Sequence, residues 1–222
     1  MVIETPTLLA PIFNDIKNCK LASVNWVIPD GRWSDHAGEG PTGNLGWGPA
    51  YVAAIVNAIG QGNTCDGYPN GGYWNDTVIL ITWDDWGGWY DHVAPFKIVN
   101  DGTSWGSGYA YGFRVPLLVV SGLTKAGTVS NTTHDFGSIL RFVENNFGLN
   151  PIAPAPYTYA DSNAPDYPDS LGDFFNSQTP LQFQPIPLSA PYSSGMDANY
   201  FMGYYDGDPP ADPDMDASEG VD

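Results

Sequence analysis

The chain has 222 residues, enough for one domain with a real core, and sets 25 Asp and Glu against seven Lys and Arg, a net charge of −18. Seven basic residues cannot build the patch that phosphate backbones or anionic lipid require, so nucleic acid and anionic membrane surfaces are excluded as partners. No apolar run is long enough to span a membrane, so no transmembrane segment is expected, and residues 1–13 lack the basic start, long apolar stretch and cleavage site of a signal peptide.

The first predicted element is a strand over "LASVNWVIP" (21–29), short, nearly all apolar and closed by Pro and Asp. A helix follows in "GPAYVAAIVNAIG" (48–60), where Tyr51, Val52, Ile55, Val56 and Ile59 share one face. Pro49 suits its first position and Gly60 its end. "TVILIT" (77–82) and "VPLLVVSG" (115–122) read as two further strands, with the continuous apolar character of strands covered on both faces. The last core element is a helix in "HDFGSILRFVENNFG" (134–148), with Phe136, Ile139, Leu140, Val143 and Phe147 at helical spacing, Asp135 at its start and Gly148 at its end. The order strand, helix, strand, strand, helix implies an α/β fold, a mostly parallel sheet flanked by helices.

From residue 151 the character changes. This third of the chain holds 12 of the acids, 12 of the prolines and no Lys or Arg, and so carries two-thirds of the net charge. It divides into an irregular extension over 151–190 and an acidic, Pro-rich tail over 191–222 expected to be disordered. Cys19 and Cys65 are too few to diagnose a compartment; one disulfide and two free thiols are both open.

The residues with the most chemistry follow the predicted strands. Asp84 and Asp85 lie just past 77–82, at the strand edge where open α/β sheets bind ligands. Trp83, Trp86 and Trp89 are expected to wall the pair, and two like charges beside indole rings are costly unless a cation offsets them. Gly87 and Gly88 allow a sharp turn and close approach of a ligand. The plain alternative is a solvated turn with Trp rings packed beneath it. Asp30, Asp35 and His36 follow the strand 21–29, Asp91 and His92 come shortly after the acid pair, and His134 follows 115–122, so all three histidines sit in post-strand loops.

"ITWDDWGGWYDHV" resembles the signature of the phosphoesterase family that contains non-toxin bacterial phospholipases C and a group of acid phosphatases, within the alkaline phosphatase superfamily. "SVNWVIPDGRWSDHAG", "GPAYVAAIVNAIG", "YGFRVPLLVVSGLTKAGTVSNTTHDFGSILRFVENNFGL" and "DFFNSQTPLQFQPIP" resemble further blocks of that family, in its order, over residues 10–187. The resemblance implies an alkaline-phosphatase-like fold and metal-dependent hydrolysis of a phosphate ester, a phospholipid or a small phosphomonoester. It makes Asp84 and Asp85 ligands of one divalent metal ion (zinc, calcium or magnesium) and His36 a group that contacts phosphate or protonates the leaving oxygen. His92 becomes a nearby or phosphate-contacting residue, and Asp35, Asp91, Gly87 and Gly88 become further site candidates. It also implies secretion or periplasmic export.

The chain departs from the family's pattern in extent. Family members are roughly twice as long, and their first half carries a Glu-Asn pair and the nucleophilic Ser or Thr. Here Glu4 and Glu39 are the only Glu before the acid pair, and neither adjoins an Asn. Residues 1–150 therefore read as the C-terminal portion of a catalytic domain, with an incomplete sheet, and a missing N-terminal half as the implied partner. The alternative is a non-catalytic remnant or interaction module that keeps a cation-binding acid pair. Within the matching blocks, "SNTTHDFGS" has Asn131 where family members carry a His, and His134 is displaced by three residues, so no catalytic role passes to it.

Overall fold

The computed structural model describes residues 10–29, 33–34, 47–61, 72–95, 111–152, 171–175, 180–188 and 196–203. The chain forms two compact units, one from residues 1–77 with 181–222 and the other from residues 78–180.

The first unit is built on helices. Helix α1 spans Ala10–Lys17, α2 spans Trp47–Gly60, and α1 packs on α2 and on a short later helix at Ala198–Gly203. The sequence reading placed no helix at α1, whose eight residues give only two turns of periodicity; Ile12, Phe13 and Ile16 form its buried stripe. Its end is a left-handed cap. Cys19 takes φ 58°, Lys20 N–H donates to the Asp15 carbonyl at 2.8 Å and Cys19 N–H to that of Ile16 at 3.3 Å.

Helix α2 lies where it was expected but is buried almost all round. Tyr51, Ile55, Val56 and Ile59 are joined in the interior by Ala50, Ala53, Ala54 and Asn57. It begins two residues before Pro49, which is still in the first turn, where the missing N–H costs no intrahelical bond. Gly60 has a packing reason beyond ending the helix: a Cβ there would run into the Phe183 ring, which stands 4.8 Å from the Trp74 ring. Asn57 fastens the same extended stretch. Its Nδ2 donates to the Ile186 carbonyl at 2.9 Å and its Oδ1 accepts from Ile186 N–H at 2.8 Å.

Around α1 and α2 the core is aromatic. Phe13, Trp33, Tyr51 and Phe201 are all at most 1% exposed, and Phe201 lies 5.4, 5.1 and 5.2 Å from Phe13, Trp33 and Tyr51, ring centre to ring centre. Phe201 belongs to the Ala198–Gly203 helix, within the stretch read as acidic tail.

The expected strand at 21–29 is a mostly irregular segment with one isolated bridge residue, Trp26. Trp26 is 41% and Ile28 49% exposed, so the apolar run that suggested a strand covered on both faces is not covered here.

In the second unit, strands β1 (Ile79–Thr82) and β2 (Leu117–Val120) pair antiparallel, Ile79 opposite Val120 and Thr82 opposite Leu117. This differs from the mostly parallel sheet expected. The expectation took direction from alternating strands and helices, yet these two strands follow one another with no helix described between them, and parallel neighbours need a crossover that is usually helical. Nor are they buried on both faces: Leu118 is half exposed and the residues of β1 are all partly exposed.

Helix α3 spans Phe136–Phe147 and has the caps its sequence announced. Asp135 and Ser138 form a capping box, and Gly148 closes the helix at φ 62°. Tyr111 Oη donates to the other oxygen of Asp135. The interior side differs from the apolar stripe: Phe136 and Phe147 are nearly half exposed, while Gly137, Ser138 and Glu144 are buried. Glu144 is satisfied by Ile152 N–H at 2.9 Å and Arg141 at 3.3 Å.

Candidate functional site

The antiparallel register decides what meets what. Thr82 ends β1 opposite Leu117, which begins β2, and Thr82 Oγ1 donates to the Pro116 carbonyl at 2.9 Å. The loop leaving β1 and the segment entering β2 therefore share one end of the pair. Phe113 fastens them together, 5.5 Å from Trp86 and 5.6 Å from Tyr90, both edge-on. Gly112 lets Trp86 lie close, since a Cβ there would stand 3.1 Å from its ring.

Asp84 and Asp85 occupy a bend directly after β1, both exposed. Gly87 and Gly88 take φ of 63° and 73°, and Trp89 N–H donates to the Trp86 carbonyl at 3.1 Å. Two successive positive φ values close the turn that the paired glycines announced, a conformation costly for residues with a Cβ. Asp85 Oδ1 accepts from Gly87 N–H, tying the second acid to that turn. The tryptophans do not enclose the pair as expected: Trp86 is 42% and Trp89 71% exposed.

Asp91 is the best-anchored acid of the loop. Its Oδ2 accepts from Arg114 Nε at 2.6 Å and its Oδ1 from Arg114 Nη2 at 3.0 Å, a two-point fork. Val93 N–H donates to Oδ1 at 3.2 Å, and His92 Nδ1 lies 3.3 Å from the same oxygen. The hydrogen-bonded guanidinium holds this carboxyl well below the usual carboxylate range, and the carboxylate in turn raises Arg114. Sequence reasoning assigned nothing to Arg114. The available signal was scarcity, one of seven basic residues placed just before a strand that follows the acid pair.

Asp35 and His36, like Asp30, lie outside the described residues, as does Cys65. Cys19 is disulfide-bonded, which closes the question left open for that residue. His134 is 9% exposed with Nε2 3.1 Å from Asp173 Oδ1, and Asp173 also accepts from Ser130 Oγ. With the Lys125 N–H bond to the Phe174 carbonyl at 2.9 Å, these contacts hold residues 173–174 against the loop before α3. His134 thus ties residue 173 to the loop before α3. Asn131 is exposed.

Two adjacent carboxylates are hard oxygen donors that suit calcium, magnesium or zinc. Among the described residues Asp84 has no side-chain partner, and no group of three or more His, Cys, Asp or Glu is gathered to hold a metal. Two carboxylates supply fewer donors than the four or more that such an ion takes.

Comparison with known proteins gives the chain its relatives. It is 31% identical over 159 residues to a non-hemolytic phospholipase C of Burkholderia pseudomallei, covering 64% of this chain and 21% of that protein. It is 30% identical over 149 residues to a hemolytic phospholipase C of Pseudomonas aeruginosa, covering 61% and 19%. It is 30% identical over 161 residues to phospholipase C B of Mycobacterium tuberculosis, covering 65% and 29%. The matched stretch thus spans less than a third of each relative. Residues 3–150, well over half of the sequence and including the acid pair, the glycine turn, Asp91, His92 and Arg114, match the phosphoesterase family, and the chain belongs to that family.

Proposed function

We propose that the chain supplies part of the active site of a metal-dependent phosphoester hydrolase. The family match across residues 3–150, with Asp84 and Asp85 exposed at the end of β1, is the observation that carries this reading. Asp84 and Asp85 would hold one divalent cation, which when bound supplies Lewis acidity and neutralises charge on the phosphoryl oxygens. His36 would contact the phosphate or protonate the leaving oxygen, and His92 would face the phosphate from the loop after the glycine turn. Asp35 remains a candidate beside His36. Gly87 and Gly88 set the direction of that loop and leave room for a ligand.

The relatives are named as phospholipases C, which favours a phospholipid phosphodiester over a small phosphomonoester as substrate. The matched stretch covers 19–29% of those relatives, so we assign the remaining metal ligands and the nucleophilic hydroxyl to a region corresponding to their unmatched part. The partly exposed strands support the same view: β1 and β2 would join a larger, mostly parallel, alkaline-phosphatase-like sheet. The disulfide at Cys19 supports an oxidising location, secreted or periplasmic.

The test joins this chain to the unmatched N-terminal region of the Burkholderia relative and measures hydrolysis of p-nitrophenylphosphorylcholine. EDTA-sensitive turnover that disappears in the combined Asp84→Asn, Asp85→Asn variant is the expected result. Turnover equal in parent and variant would refute the assignment of the pair.

A further inference from the structure

We propose that Arg114 and Asp91 are positioning residues for His92, fixing its ring so that Nε2 is the atom presented to the phosphate. The proposal rests on His92 facing substrate, as proposed above, and assigns the two residues that aim it.

The geometry separates the roles. Asp91 is 16% exposed and His92 84% exposed, so the carboxylate is enclosed while the imidazole reaches into solvent. A lone carboxylate next in sequence to a histidine would rotate freely. Here Arg114 Nε and Nη2 engage both carboxylate oxygens, and Val93 N–H takes a further site on Oδ1. The fork fixes the plane of the carboxylate, which one point charge cannot do. Arg114 is itself placed by its neighbours. It follows Phe113, whose ring meets Trp86 and Tyr90, and precedes β2, whose register brings this segment beside the loop.

The direction of the imidazole follows from donor chemistry. An ionised carboxylate only accepts, and the Arg114 bonds keep Asp91 ionised. The ring nitrogen facing Oδ1, Nδ1 at 3.3 Å, is therefore the one that carries the proton in the neutral ring. Nε2 is left with its lone pair directed outward. The contact is at ion-pair distance and not in hydrogen-bond geometry, and it is expected to close into a hydrogen bond when substrate binds. A carboxylate behind an imidazole in this way selects one tautomer and one ring orientation, and loss of such a supporting partner costs roughly 10–100-fold in activity or affinity at metal sites. A fork that merely stapled the loop would leave the tautomer of His92 unaffected, so the tautomer distinguishes the two roles.

The experiment is nitrogen-15 NMR of the histidine-labelled 222-residue chain at a pH where the ring is neutral, with His92→Gln used to assign the signal. The wild type is expected to hold the Nδ1–H form. Asp91→Ala and Arg114→Ala are expected to move it to the Nε2–H form that a free imidazole prefers, and Arg114→Lys to fall between. Arg114→Lys keeps the charge and guards against a variant that fails to fold. In the chimera used for hydrolysis, Arg114→Lys is expected to lower kcat with little change in KM. An Nε2–H wild type, or one tautomer shared by wild type and every Arg114 variant, would overturn the proposal. The NMR readout needs no turnover, so failure of the functional reading and failure of this proposal are separate results.

Discussion

At Asp91 a single carboxylate accepts from a guanidinium fork and a backbone amide, and its depressed pKa ties that arrangement to pH. A carboxyl whose folded value lies below its unfolded one contributes stability that is fully present above the unfolded value, 3.8, and is lost as pH falls through the folded value. Acid titration of the wild type should therefore show a steeper loss of stability below pH 3.8 than Asp91→Asn, which lacks only this carboxyl's share, read by thermal unfolding at stepped pH. Identical profiles would mean that the fork does not persist in solution. At this scale the sequence showed part of the site. Adjacent acids followed by paired glycines announced the turn at 86–89, because an Asx contact and positive φ are local properties. The pairing of Arg114 was not legible because its partner lies 23 residues away, and no local pattern encodes that distance.

Elements were legible where periodicity and caps agreed. Helix α3 carries both, and its Asp135 cap and glycine stop lie where the sequence placed them. Helix α2 was found, but its burial on almost every side was not, since Ala53, Ala54 and Asn57 do not announce an interior face. Asn57 makes a sharp test of that packing. Replacing it with Ala strips both partners from the Ile186 backbone and should cost about 1–3 kcal/mol in urea unfolding, well above the few tenths that helix propensity returns. A neutral Asn57→Ala would mean that residues 181–188 do not rest on α2. Strand direction was the least legible property. Apolar composition identified β1 and β2, yet parallel or antiparallel pairing depends on the connection between strands, which their own residues do not describe.

For the whole molecule, the family membership covers residues 3–150. Five sequence blocks were enough to indicate the family because they keep their order along the chain, and the match over residues 3–150, which takes in four of them, agrees. Composition did not foretell the division into two units, in which residues 181–222 group with the first 77 rather than with the segment before them. Nor did it foretell Phe201, an apolar residue in an acidic stretch that fills the centre of the aromatic core. The partly exposed strands and the exposed acid pair are both consistent with the proposal that the remaining site residues belong to a region corresponding to the unmatched part of the relatives.

The central claim is that Asp84 and Asp85 bind a divalent cation. The measurement is the thermal midpoint of the 222-residue chain with zinc, calcium or magnesium, in wild type and in the combined Asp84→Asn, Asp85→Asn variant. A cation bound only by the folded form at a hundredfold excess over its Kd stabilises by about 2.7 kcal/mol. The account predicts a midpoint that rises with one of these cations in the wild type and does not rise in the variant. An equal response to metal in both proteins would contradict it.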